Sequence, residues 1–119
     1  MLNDKTPTIR ERINNYQTEI LKGDLQPDRA AIILNEISSL YGNILDRIKD
    51  TEMIYNRVLL NHLEEEQKAN RAKIKAEITQ EYQDLKDATN TEKVAIQMIR
   101  SLSKFLKAKE NEYQSAKYQ

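Results

Sequence analysis

Apolar residues recur at alternating spacings of three and four along most of this chain, and almost nothing interrupts them. Glycine and proline occur only twice each in 119 residues. A three-four spacing places side chains on one face of an α-helix, whereas a sheet protein would need many turn residues. Abundant Ala, Glu, Lys, Gln, Leu and Ile add to this helical preference. The pattern therefore predicts an all-α protein.

Start and stop signals divide the pattern into segments. Thr6 with Pro7 predicts the start of a first helix, which Gly23 ends, and Pro27 predicts the start of a second. Thr89 to Glu92 spells a capping box, with Thr91 as a rival cap. The predicted helices span about residues 7–22, 27–49, 51–88 and 91–117. Asp50 or Thr51 can cap the third segment, although continuation from the second is equally compatible with the sequence.

The stretch "EEEQKANRAKIKAE" (64–77) decides how the third segment is interpreted. It has no Gly or Pro, and the helical phase of the flanking apolar residues continues through it, so a flexible linker is disfavoured. We interpret it as the polar waist of one long helix. A helix over 51–88 would be roughly 57 Å long, more than a compact domain of this size accommodates.

A helix of that length favours association with another chain. The sequence predicts a single domain over residues 1–119, folded as an elongated, antiparallel, coiled-coil-like bundle. Gly42, inside the second helix, predicts a close approach of another helix, because Gly weakens a helix interior. The expected partner is a second copy or a larger protein assembly. The predicted interface comprises Ile54, Val58, Leu59, Leu63, Ile74, Ile78, Tyr82 and Leu85.

Catalytic and metal-binding patterns are missing from the sequence. There is no cysteine and one histidine, His62, whose neighbours do not match the two-histidine zinc motif. Adjacent glutamates on a polar helix face are solvated, so they are poor general acids or bases. We therefore expect no enzyme activity, no cofactor, no metal site and no small-molecule substrate.

A basic stripe offers an alternative function. Lys93, Arg100, Lys104 and Lys107 fall within about 60° of one another on a helical wheel, opposite the apolar face. Such a row of cations can contact phosphates, which makes nucleic-acid binding the second hypothesis. No aromatic residue shares this face, so stacking on single strands is not expected. Charged rows on an outer helix face are more often simply solvated.

The expected cellular location depends on signals for secretion and membrane insertion, and the sequence shows neither kind. The N-terminal residues have no apolar segment of the secretory type, and the longest apolar run covers only residues 30–34. The 19 basic and 19 acidic residues cancel, so no net charge draws the chain to a membrane surface. We expect a soluble cytoplasmic protein without membrane contact.

The segment "LKDATNTEKVAIQMIRSLSKFLKAKENEY" (85–113) resembles the tail helix of small all-helical accessory proteins encoded by tailed bacteriophages. The similarity rests on Lys86–Asp87–Ala88, Ile99–Arg100–Ser101–Leu102, Leu106–Lys107 and Glu112–Tyr113, within a segment that covers about a quarter of the chain. It implies a role in a virion, in assembly, or in replication and recombination, within the host cytoplasm or the particle. The first hypothesis is thus a non-catalytic helical interaction or structural protein.

Overall fold

The computed structural model describes residues 6–117, and the chain is all-α. Four helices follow one another, with no strand in this range: α1 (Ile9–Leu21), α2 (Pro27–Glu65), α3 (Ala69–Glu77) and α4 (Gln80–Lys117). The sequence-based fold class and number of helices are confirmed. The bounds of the later helices differ from the prediction, and each difference has a physical cause.

α1 forms close to where its signals place it. Its N-cap is Thr8 rather than Thr6, since the Thr8 hydroxyl accepts a hydrogen bond from the Glu11 backbone N–H at 3.1 Å. Gly23 takes a positive φ of 84°, the left-handed conformation that ends many helices, and its N–H donates to the Ile20 carbonyl. The Arg29 guanidinium at the start of α2 then donates two hydrogen bonds to the Glu19 carboxylate, at 2.6 and 2.9 Å.

α2 begins at Pro27 as predicted but does not end near residue 49. It continues without a break to Glu65, over 39 residues. Thr51, proposed as a cap for a new helix, is buried inside α2, and its hydroxyl donates to the carbonyls of Arg47 (2.7 Å) and Ile48 (3.1 Å). A threonine bonded back onto the preceding turn needs no helix end. Of the two alternatives, a new helix capped near residue 50 and continuation of the second helix, the structure has the continuation.

The polar stretch is not the waist of one long helix. α2 ends at Glu65, α3 covers only nine residues, and a second break falls at residues 78–79. Ala72 and Ala76, one turn apart on α3, are fully buried. A salt bridge joins Glu66 to Lys75 across the first break. The bend thus buries the alanine face of α3, and that burial outweighs the preference of these residues for a continuous helix.

α4 begins at Gln80, well before the predicted start at 91. Thr79 is its cap: the Thr79 hydroxyl accepts from the Tyr82 N–H at 3.3 Å and donates to the Ala76 carbonyl at 2.6 Å. Thr89 and Thr91 instead lie within the helix and donate to the carbonyls of Lys86 and Asp87. The capping box at 89–92 was therefore a wrong interpretation of threonines bonded to the preceding turn.

The helices contribute to two compact units, described here one at a time. The first contains the residues up to Tyr41 and those from Lys93 onward, and the second contains Gly42–Glu92. Each has its own buried apolar residues. In the first these are Ile13, Ala30, Ile33, Ile37, Leu40, Ala95, Met98 and Leu102. In the second they are Ile44, Tyr55, Ala72, Ala76 and Ala88, together with the threonines Thr51 and Thr91.

Gly42 is not a point of close helix packing. A Cβ placed on it would meet no atom within 4 Å beyond its own helix surroundings, and the residue is exposed. The expected reason for this glycine was wrong, and nothing in the structure requires a glycine there.

Candidate functional site

The second unit carries an unusual amount of exposed apolar side chain. We call the set of these residues the apolar surface of the second unit: Leu45, Met53, Ile54, Leu60, Leu63, Ile74 and Ile78. Their exposed fractions run from 41% for Leu63 to 80% for Ile78. Single exposed apolar residues are ordinary, but seven large ones within one unit make that unit a candidate for contact with other molecules. This surface is the leading candidate for a functional site.

The eight residues predicted as an interface fall into two groups. Ile54, Leu63, Ile74 and Ile78 are exposed and belong to the apolar surface. Val58, Leu59, Tyr82 and Leu85 are half-buried. Because the chain bends at 66–68 and again at 78–79, the eight do not form one stripe along a single helix. Their role as a partner interface stays a prediction.

Tyr82 shows why half of the predicted set points inward. Its ring lies 5.1 Å from the ring of Tyr55, centroid to centroid, at a tilt of 51°. This is the offset geometry that aromatic pairs prefer. Burial raises the pKa of Tyr55, and the neighbouring Glu77 and Tyr82 raise it further. Side chains from α2, α3 and α4 thus meet around Tyr55, inside the second unit.

Sequence reasoning did not include three exposed residues of α2 in the interface. Leu45, Met53 and Leu60 are between 43% and 55% exposed. Met53 and Leu60 lie seven residues apart, and Leu63 follows three residues later, so these three share a face of α2. Their spacing is visible in the sequence, but the larger apolar stripe through Ile54 and Val58 obscured it.

The four residues of the basic stripe are all exposed on α4. Among residues 6–117, no carboxylate lies within salt-bridge distance of any of them. The sequence from Lys93 to Lys109 contains five cations and no Asp or Glu. Lys109 differs from the stripe, since it pairs with Glu112 at 3.5 Å and lies over the Phe105 ring. The stripe spans about 21 Å along the helix.

The residues that could bind a metal ion, and the side chains that line one cleft, can be described directly. Within residues 6–117, no three His, Asp or Glu side chains form a group that could hold a metal ion. An apolar cleft in the first unit is lined by Ile20, Gly23, Leu25, Ser101, Leu102 and Phe105, without an acid or a base. His62 is half-buried, and its Nδ1 is a buried atom without a hydrogen-bond partner.

None of the helices within residues 6–117 combines the length and the apolarity needed to cross a bilayer. Comparisons with protein-family models, with curated proteins and with solved structures found no match to this chain.

Proposed function

We propose that this chain is a non-catalytic helical interaction protein that acts by associating with copies of itself. The observation that carries the proposal is the apolar surface of the second unit, where seven large apolar side chains are at least 41% exposed. Full burial of an exposed side chain of this kind contributes about 1.5–3 kcal/mol, and these partly exposed side chains gain the share that matches the area still in water. Covering several of them at once gives a contact with enough energy to offset the entropy lost on association.

The composition of the chain supports this function. Apolar residues are 39% of the sequence, with one Phe and no Trp, and several of the largest lie on the outside. A solvated protein gains nothing from exposing them, whereas an assembling protein covers them when its copies meet. We place this self-association in the cytoplasm. An assembly or virion role is the one that the phage-like residues 85–113 suggest.

Sedimentation equilibrium tests the proposal. The mean mass of the wild-type chain should rise with concentration between about 1 µM and about 1 mM, the range of Kd that corresponds to roughly −8 to −4 kcal/mol. A variant with both Leu60→Lys and Ile74→Lys should remain a monomer over that range. Leu21→Lys is the matched control, because Leu21 is 79% exposed but lies outside the second unit. A wild-type chain that stays monomeric throughout would overturn the proposal.

Nucleic-acid binding is the second candidate, and the basic stripe supports it. Lys93, Arg100, Lys104 and Lys107 are exposed, lie on one helix face, and have no carboxylate within salt-bridge distance in residues 6–117. Cations that are not paired within the protein remain available to phosphates. Replacement of condensed counterions by four cations gives a log–log salt dependence with a slope of at most about −4.

Titration of labelled duplex DNA and single-stranded RNA at low salt tests this candidate. The Lys104→Glu/Lys107→Glu variant should lose binding. The Lys22→Glu/Lys49→Glu variant, which has the same change in net charge at exposed residues elsewhere, should keep it. Equal loss of binding in both variants would mean that net charge, and not the basic stripe, causes the binding. A wild-type chain that binds neither nucleic acid at low salt would eliminate this candidate.

A further inference from the structure

We propose that the outer face of α2 between Met53 and Leu63 pairs with the same face of a second copy, with the two helices parallel and in register. This inference depends on the proposed self-association and names the contact that performs it. The face consists of Met53, Asn56, Leu60 and Leu63, and we call it the outer α2 face.

The spacing of these residues is that of a coiled-coil seam. Successive members are three, four and three residues apart, as in the a and d positions of a heptad. Met53, Leu60 and Leu63 are 51%, 55% and 41% exposed, and Asn56 is exposed as well. Met53 points about 160° away from the buried Tyr55 on the same helix. The face that packs inside the second unit is therefore not the outer α2 face.

Charges beside the seam complement those of a second copy. Glu52 and Arg57 are exposed on opposite sides of the outer α2 face, and neither forms an ion pair among residues 6–117. In a parallel, in-register pair, Glu52 of one copy lies opposite Arg57 of the other, because g and e positions five residues apart face each other across the seam. The two-fold symmetry of the pair forms this contact twice.

Asn56 favours the parallel arrangement over the antiparallel one. In register, the Asn56 amides of the two copies face each other and can exchange a hydrogen bond. In an antiparallel pair each Asn56 would lie against Leu60 of the other copy, where the buried amide has no hydrogen-bond partner and therefore weakens the pair. The antiparallel pair does offer attraction between Arg57 and Glu64, but exposed ion pairs contribute little, because water and salt screen them.

The seam covers only about three helical turns, so the pair should be weak. Two copies that contact through three apolar side chains and their flanks bury less than the roughly 1,200 Å² of a standard interface. We expect a dissociation constant of about 10 µM to 1 mM from this contact. Such an affinity fits a protein that assembles when many copies are brought together.

Single cysteines can report the orientation, because the chain contains none of its own. Three variants would be oxidised under identical mild conditions: Met53→Cys, Leu63→Cys, and the control Leu21→Cys, at a residue that is more exposed than either. In the parallel pair each seam cysteine faces itself, within the reach of a disulfide. Met53→Cys and Leu63→Cys should each form covalent dimers at least tenfold faster than the control.

An antiparallel pair gives a different result, since Met53 then faces Leu63. Neither variant would cross-link alone, and only their mixture would, which would overturn the proposed register. The wild-type chain could self-associate while Met53→Cys and Leu63→Cys cross-link no faster than the control. That result would overturn the proposed contact through the outer α2 face but leave the proposed function intact. A wild-type chain that stays monomeric at all concentrations would overturn both the proposed self-association and this contact.

Charge reversal gives an independent check on the same contact. Glu52→Arg or Arg57→Glu alone should weaken self-association severalfold, because each places like charges opposite each other. The double variant Glu52→Arg/Arg57→Glu should restore it. Equal weakening in all three variants would contradict the g-to-e pairing and, with it, the parallel register.

Discussion

The Tyr55 ring of α2 lies against the Tyr82 ring of α4, with 5.1 Å between the ring centroids. This contact brings together two residues that are 27 positions apart in the sequence, and Glu77 of α3 lies close enough to raise the pKa of Tyr55. Groups from three helices of the second unit therefore lie near one buried phenol. That arrangement has a measurable pH signature.

The raised pKa of Tyr55 predicts a loss of stability in alkali. Burial, then Glu77 and Tyr82, hold the folded-state pKa above the ordinary value of about 10. Below that value Tyr55 is protonated in both the folded and the unfolded protein. Above it Tyr55 ionises first in the unfolded chain, so the free energy of unfolding falls as pH rises. Urea unfolding at pH 8 and at about pH 10.5 should show a smaller fall for Tyr55→Phe than for the wild type. Tyr113→Phe, at a residue 68% exposed, should behave like the wild type.

Substitution by valine should destabilise the protein more at a threonine that caps a helix than at one inside a helix. Thr79 caps α4, so Thr79→Val should cost about 0.5–2 kcal/mol of unfolding free energy. Thr51 lies inside α2, where its hydroxyl only adds a bond to carbonyls of the preceding turn, so Thr51→Val should cost less than about 1 kcal/mol. Thermal unfolding of both variants measures the difference. A larger cost at Thr51 than at Thr79 would contradict the observed helix bounds.

The two glycines should give effects of opposite sign. Gly42→Ala should raise the unfolding free energy by about 0.5–1 kcal/mol, since the new methyl group meets no atom and Ala suits a helix interior better. Gly23→Ala should lower it by about 1–2 kcal/mol, because φ is positive there. Chemical denaturation provides both values. Destabilisation by Gly42→Ala would indicate an assembly in which this position is tightly covered.

The salt bridge between Glu66 and Lys75 should control the opening of the first bend. Replacing Lys75 by Met keeps the aliphatic stem and removes the charge, so amide exchange over residues 66–77 should accelerate. Lys73→Met, on the same helix but in no salt bridge among residues 6–117, should leave the exchange rates unchanged. If both variants exchange alike, the ion pair does not hold the bend.

The same salt bridge predicts an acid dependence. The hydrogen bond from Lys75 lowers the pKa of Glu66 below its ordinary value, so its contribution is complete above about pH 4.3. That contribution disappears as pH falls through the lowered pKa. The exchange rates of wild type and Lys75→Met should therefore converge in acid. A difference that persists at pH 2 would point to packing of the lysine stem instead.

The sequence predicted the features that depend on steric rules. Pro27 and Gly23 mark helix ends because their backbone conformations allow little else, and both were correct. The threonines failed because a hydroxyl that caps a helix and one that bonds back to the preceding turn look alike in a sequence. Thr51, Thr89 and Thr91 belong to the second kind, and Thr79 to the first.

The bend was missed for a different reason. Large apolar residues mark a buried helix face in a sequence, whereas alanines such as Ala72 and Ala76 occur equally on buried and exposed faces. Which face of α3 is covered depends on contacts with residues far away in the sequence, and local preferences do not contain that information. The same contacts turn Tyr82 and Leu85 inward. The exposure of the basic stripe, by contrast, followed directly from its position on the helical wheel.

The two breaks around α3 contain no glycine, no proline and no residue with positive φ. Every residue there can become helical without strain, so the bend exists only while the second unit is packed. Partial loosening of that unit can therefore straighten the bend with little change in the number of helical residues, while amides over residues 66–77 exchange as the bend rearranges. Far-ultraviolet circular dichroism, which counts helical residues, would therefore scarcely register the change. Tyrosine fluorescence or proton spectra of Tyr55 and Tyr82 would detect it at once.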